Sequence, residues 1–127
     1  TEVVFPRIAS DVLDLLSATA DGRLAEVPFA VREEAAATVF LVSGGYPGLY
    51  ERGQLITGLD DVVGSTVFHA GTKQDDAGIV TDGGRVLAVT SLAADIQSAV
   101  AKSLENAARI QFEGKYYRKD IGWEFKG

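Results

Sequence analysis

Between positions 35 and 92 the apolar residues come in short bursts of β-branched and aromatic character, each bounded by glycine on at least one side. No other feature restricts the fold as much. "AAATVFLV" runs into Ser43, Gly44, Gly45, Tyr46, Pro47 and Gly48, and "STVFHAGT", "GIVT" and "RVLAVTSL" follow it. Apolar runs this short, bounded by turn formers, are the signature of strands. The last two runs are joined by Asp82, Gly83 and Gly84, residue types suited to a tight turn with positive φ, so a β-hairpin is expected there.

Helical periodicity appears on either side of this β-rich stretch. "SDVLDLLSATADG" places Val12, Leu13, Leu15, Leu16 and Thr19 or Ala20 on one apolar stripe. Ser10 is the expected N-cap, Asp11 and Asp14 suit the positive helix end, and Gly22 is the expected stop. "GRLAEVPFAVREE" is broken by proline and reads as an extended crossing, not a central strand. The second helix, "DIQSAVAKSLENAARI", aligns Ile96, Ala99, Val100, Ser103, Leu104 and Ala107. Small residues dominate that face, which favours close packing on a sheet. The aromatic, glycine-broken tail "QFEGKYYRKDIGW" is expected to wrap back onto the core. The fold class is therefore α+β, mostly antiparallel β-sheet with two main helices.

Composition removes several functions. With 127 residues the chain is one domain by length. A net charge of −6 and no basic face argue against a nucleic-acid partner. There are no cysteines, which excludes disulfides, thiolate metal sites and cysteine nucleophiles. The apolar runs are too short to cross a membrane as helices, so no membrane partner is expected and a cytoplasmic home is the default.

The motifs do not make a self-sufficient active site. "HAGTK" lacks the first glycine and the spacing of a phosphate loop, and no helix follows it. "GGRVLAV" fails as a dinucleotide fingerprint because its glycines precede the strand. His69, the lone histidine, has no second histidine or G-x-S-x-G partner and reads first as a strand-end residue bonded to backbone or a carboxylate. The acid pairs at 33–34, 60–61 and 75–76 read as solvated. "SGGYPGLYERG" carries more information: two glycines directly after a strand either let a ligand approach the backbone or simply make a tight turn.

Five strings in order, "TEVVFPRI.SD", "VSGGYPG.YE.G..ITGLD", "VFHAGT", "GGRVLAVT" and "FEGKYYRKDIGW", resemble the phosphoribosylamine–glycine ligases, members of the ATP-grasp superfamily. The resemblance runs from Thr1 to Trp123. It implies an enzyme of de novo purine synthesis that joins glycine to 5-phosphoribosylamine, with ATP and magnesium (or manganese), through a glycyl phosphate intermediate. In that family a substrate domain and a two-lobed ATP clamp precede the C-terminal domain. The resemblance implies that residues 1–24 are the last helical segment of the ATP-grasp core and residues 25–127 the C-terminal domain.

On this basis the metal and ATP ligands lie upstream of Thr1. No catalytic residue, metal or cofactor is then expected in this fragment, and it is expected to be inactive alone. Its expected partners are the N-terminal and ATP-grasp domains of the same ligase. The glycine loops that would border the substrates are Ser43, Gly44, Gly45, Tyr46 and Pro47, and His69, Gly71 and Thr72. A free-standing binding module and one subunit of a split ligase are the alternatives.

Overall fold

The computed structural model describes residues 1–125. Its centre is a three-stranded antiparallel sheet of β1 (Ala35–Val42), β2 (Thr66–His69) and the long strand β5 (Arg85–Ala93). The order is β1-β5-β2, so β5 is paired on both edges. Val39 faces Val89, and Val67 faces Val89 from the other side. A separate two-stranded ribbon joins β3 (Thr72–Asp75) to β4 (Gly78–Thr81).

The pairing overturns one expectation from the sequence. β4 and β5 do not form a hairpin, because β4 belongs to the ribbon and β5 to the main sheet. Neither Gly83 nor Gly84 has positive φ, so the 82–84 link crosses between sheets instead of closing a turn. The ribbon's own turn uses Gly78 at φ 127° and the Asp75 carboxylate, which accepts from Ala77 N–H at 2.8 Å. "STVFHAGT" is likewise two strands, not one. Ala70 and Gly71 both donate to the Val86 carbonyl, at 3.0 and 3.1 Å, and the chain leaves the main sheet there for the ribbon.

Helix α2 (Ile96–Arg109) covers one face of the main sheet. Asp95 caps it by accepting from Ser98 N–H at 2.8 Å. Ala99, Ser103 and Ala107 are fully buried against Ala37, Val39, Leu41, Leu87 and Val89, as the small-residue stripe leads one to expect. Asn106, absent from that stripe, is buried too. Its amide donates to Ser65 Oγ at 2.7 Å, and Ser65 lies 2.6 Å from Ser91, which lies 2.8 Å from Ser103. Ser103 donates to the Ala37 carbonyl at 2.9 Å. Ser103 Oγ thus reaches both the Ala37 carbonyl and Ser91 Oγ, and the Asn106 amide and the three serines form one buried network between α2 and the sheet.

Helix α1 (Val12–Ala20) starts one residue later than the capping expectation. Asp11, not Ser10, is the N-cap, accepting from Leu13 and Asp14 N–H groups. The Ser10 hydroxyl is engaged elsewhere: it donates to the Pro28 carbonyl and accepts from Ala30 N–H. Gly22 ends the helix at φ 71°, as expected, and Arg23 N–H reaches back to the Ala18 carbonyl at 2.8 Å. Only Leu15 and Ala18 of this helix are buried, and Leu13 and Leu16 face solvent. The crossing that follows holds a short 3-10 turn, Leu24–Glu26, and no strand.

The tail folds back as expected. Phe112 is buried, Tyr117 and Ile121 pack on the core, and Tyr116 exchanges backbone hydrogen bonds with Val42 on the outer edge of β1. No helix among the described residues is long and apolar enough to cross a membrane.

Candidate functional site

Glycine decides where the loops meet. After β1 the 43–47 loop is drawn against the 82–84 link. Ser43 Oγ donates to the Gly83 carbonyl at 2.9 Å, and Ser43 N–H donates to the Gly84 carbonyl at 2.8 Å. A β-carbon on Gly44 would stand 2.8 Å from the Gly114 carbonyl oxygen. Gly45 has φ 92°, and a β-carbon there would overlap the Leu49 carbonyl. The Tyr46–Pro47 peptide is cis. From the other side, a β-carbon on Gly71 would come within 2.7 Å of Gly83 Cα, and Asp82 N–H donates to the Gly71 carbonyl at 2.7 Å. The two glycine loops read from the sequence are thus joined through a third segment, the 82–84 link.

Together they form a cleft of about 360 Å³ lined by Glu2, Phe40, Tyr46, Ala70, Gly71, Gly84 and Arg85. The expected site residues take different places around it. Tyr46 and Gly71 line the cleft. Ser43 is buried and ties the loops together. Gly44 and Gly45 shape the loop, and Pro47 is exposed beyond it. His69 Nδ1 and Thr72 Oγ1 lie 2.9 Å apart and bond each other across the exit from β2; neither lines the cleft.

Two residues that the sequence reading left unassigned stand in the cleft. The Arg85 guanidinium lies over the Phe40 ring, 5.5 Å from its centroid. Glu2 arrives on the N-terminal arm, held by its carbonyl, which accepts from Thr90 Oγ1 at 2.9 Å. Its carboxyl is held below the usual range chiefly by its own backbone N–H, which outweighs the opposing effect of desolvation, with lesser help from the N-terminal ammonium and then Arg85. "GGRVL" held the signal for Arg85: a charged residue directly after two glycines, at the start of a strand.

A second, wider hollow of about 840 Å³ lies between the end of α2 and residues 115–120. Two of its cations already have structural partners. Lys115 donates to the Ala107 and Ile110 carbonyls at the helix end, and partial burial lowers its pKa. Arg118 is paired with Asp120 at 2.8 Å. The smaller cleft, with its backbone floor, is the better built site. Among the described residues no group of three or more His, Cys, Asp or Glu is placed to hold a metal ion.

The fold and cleft define an antiparallel α+β domain whose glycine loops gather at one end of its sheet. Residues 36–124 match the family model described as "Phosphoribosylglycinamide synthetase, C domain", and the chain belongs to that family. It is 46% identical over 125 residues to a phosphoribosylamine–glycine ligase of Chlorobaculum tepidum, covering 96% of this chain. It is 41% identical to a human protein named trifunctional purine biosynthetic protein adenosine-3, covering 96% of this chain and 12% of that one. A crystal structure of a phosphoribosylamine–glycine ligase from Thermotoga maritima superposes with a TM-score of 0.70 at 33% identity, over 84% of this chain and 27% of that one. The chain spans under a third, 29%, of the length of the Chlorobaculum ligase.

Proposed function

We propose that this chain is the C-terminal part of an enzyme that joins glycine to 5-phosphoribosylamine in purine synthesis, with ATP and magnesium (or manganese) held by the rest of that enzyme. One observation carries the reading: 46% identity runs through 96% of the chain, to a protein named for that reaction. In this reading residues 25–127 are the C-terminal domain, and residues 1–24 carry the last helix of the ATP-grasp core. The domain packs on the grasp lobe and closes the substrate site with the 43–47 and 70–72 loops, and the enzyme works in the cytoplasm.

The N-terminal arm supports the packing. Val4, Phe5, Leu13, Leu16, Phe29 and Val31 are all exposed, more apolar surface than a free arm needs. The same surface serves whether the remainder is on this chain or on a separate subunit.

Reassembly tests the proposal. Joined to the upstream segments of a related ligase, the chain is expected to support ADP release that requires both glycine and 5-phosphoribosylamine. The chain alone is expected to release none. Turnover by the isolated chain, or none by the reassembled enzyme, would overturn the reading.

A further inference from the structure

Hydrogen bonds hold the N-terminal arm at two places. Its later part is tied to the 30–32 segment by several of them. Arg32 N–H donates to the Arg7 carbonyl at 2.7 Å, Ala9 N–H to the Ala30 carbonyl at 2.9 Å, and the Arg7 guanidinium to the Arg32 carbonyl at 2.9 Å. Its start is tied by one. Among the described residues, the only hydrogen bond between residues 1–6 and the main sheet runs from Thr90 Oγ1 to the Glu2 carbonyl, at 2.9 Å.

The sheet prepares Thr90 for this bond. Thr90 is 2% exposed and stands in register with Thr38 on β1 and Thr66 on β2. Side chains alternate along a strand, so this row faces away from α2, which packs on the face of Ala37, Val39 and Val89. Thr38 Oγ1 lies 2.7 Å from Thr90 Oγ1. A threonine hydroxyl has one proton to donate, and that of Thr90 goes to the Glu2 carbonyl, so Thr38 is the donor to Thr90. Thr38 thereby orients the Thr90 proton toward the arm.

The start of the arm lies at the glycine-floored cleft, which Glu2 lines together with Gly71 and Gly84. The Val4 and Phe5 N–H groups both donate to the Thr1 carbonyl, at 3.2 and 3.0 Å, so residues 1–5 form one turn. In a longer chain the residue before Thr1 is one peptide unit away, about 3.8 Å between Cα atoms. The bond at Glu2 therefore sets where an upstream segment meets the glycine loops.

We propose that Thr90, oriented by Thr38, is a positioning residue for the reaction: by holding the Glu2 carbonyl it sets the upstream chain against the 43–47 and 70–72 loops. The inference rests on the proposed function, in which the upstream segments hold ATP and the metal while these loops close the substrate site. Thr90 acts through the arm. A shift of the arm by about 1 Å is enough to cost on the order of a hundredfold in turnover.

The test uses the reassembled ligase, with this chain joined through Thr1 to the upstream segments. Thr90→Val keeps the branched shape and removes the hydroxyl. It is expected to lower kcat about tenfold or more while the KM values of glycine and 5-phosphoribosylamine stay within about twofold. Thr90→Ser, which keeps the hydroxyl, is expected to restore most of the kcat. Thr38→Val leaves Thr90 in place and is expected to give a smaller fall in the same direction, which carries the test if Thr90→Val does not fold. Ser103→Ala removes a buried hydroxyl on the opposite face of the sheet and is expected to leave kcat unchanged, so it controls for lost stability.

If the parent ligase is active, three results overturn the inference while the function stands. They are an unchanged kcat in Thr90→Val, a loss no greater than that of Ser103→Ala, and a loss that Thr90→Ser does not restore. A raised KM at unchanged kcat overturns it as well, because the hydroxyl would then serve binding. An unchanged kcat in Thr38→Val removes the orienting part. An inactive parent ligase overturns the proposed function and this inference with it.

Discussion

The ring of Tyr46 lies so close over Gly84 that a β-carbon at position 84 would overlap it. A loop after one strand and a link before another are thereby locked together by an aromatic face against a bare backbone. Gly84→Ala is expected to push Tyr46 out and to destabilise the chain by about 1–3 kcal/mol, the usual cost of overpacking. Tyr46→Ala in the same chain should recover most of that loss. Thermal unfolding of the two single variants and the double variant measures the coupling, and strict additivity would contradict the contact.

Ser103 holds a buried chain of hydroxyls between α2 and the sheet. Ser103→Ala leaves the Ala37 carbonyl without its side-chain donor and Ser91 with one hydroxyl partner, Ser65, instead of two, and should cost about 1–3 kcal/mol. Urea unfolding should show a lower midpoint at an unchanged slope. A midpoint equal to that of the parent chain would mean that the network adds nothing to stability.

Two leucines separate the core from the surface proposed for docking. Leu41 is wholly buried, and Leu41→Ala should cost about 2–5 kcal/mol wherever the domain is placed. Leu13 is 71% exposed, and Leu13→Ala should stay within about 0.5 kcal/mol of the parent in the isolated chain. In the reassembled ligase Leu13→Ala should lower the thermal midpoint clearly. No change there would remove α1 from the docking surface.

Asp95 links the α2 cap to pH. The Ser98 N–H, and then the Ser98 hydroxyl, hold its carboxyl below the ordinary carboxylate range. With the folded-state pKa depressed, the stabilising contribution is present above the unfolded-state pKa and is lost as pH falls through the folded-state one. Asp95→Asn keeps a capping side chain but removes the titration. Its thermal midpoint should therefore depend less steeply on pH in the acid range than that of the parent. Parallel profiles would show that the cap does not titrate with folding.

What could be read from the sequence was local. Glycine stops marked where the 35–42, 78–81 and 85–93 runs become strands, helical spacing gave the buried face of α2, and the strings around the loops gave the family. Asn106 could have been found the same way, since it follows Ser103 by one helical step, but its polarity hides its burial. Pairing was different. Whether β4 joins β5 or β3 depends on which backbone groups find partners across the fold, and Asp-Gly-Gly is compatible with both a hairpin and a crossing link. Ser10 and Asp11 were equally good caps until the 28–30 segment occupied the serine. Sequence alone therefore determined both helices, three of the strands, the buried face of α2 and the family, but neither the β2–β3 break nor the exposure of Leu13 and Leu16 on α1. Tertiary structure decided the cleft, because Gly71 meets Gly83, Gly84 meets Tyr46, and Arg85 lies over Phe40 only after distant segments have packed.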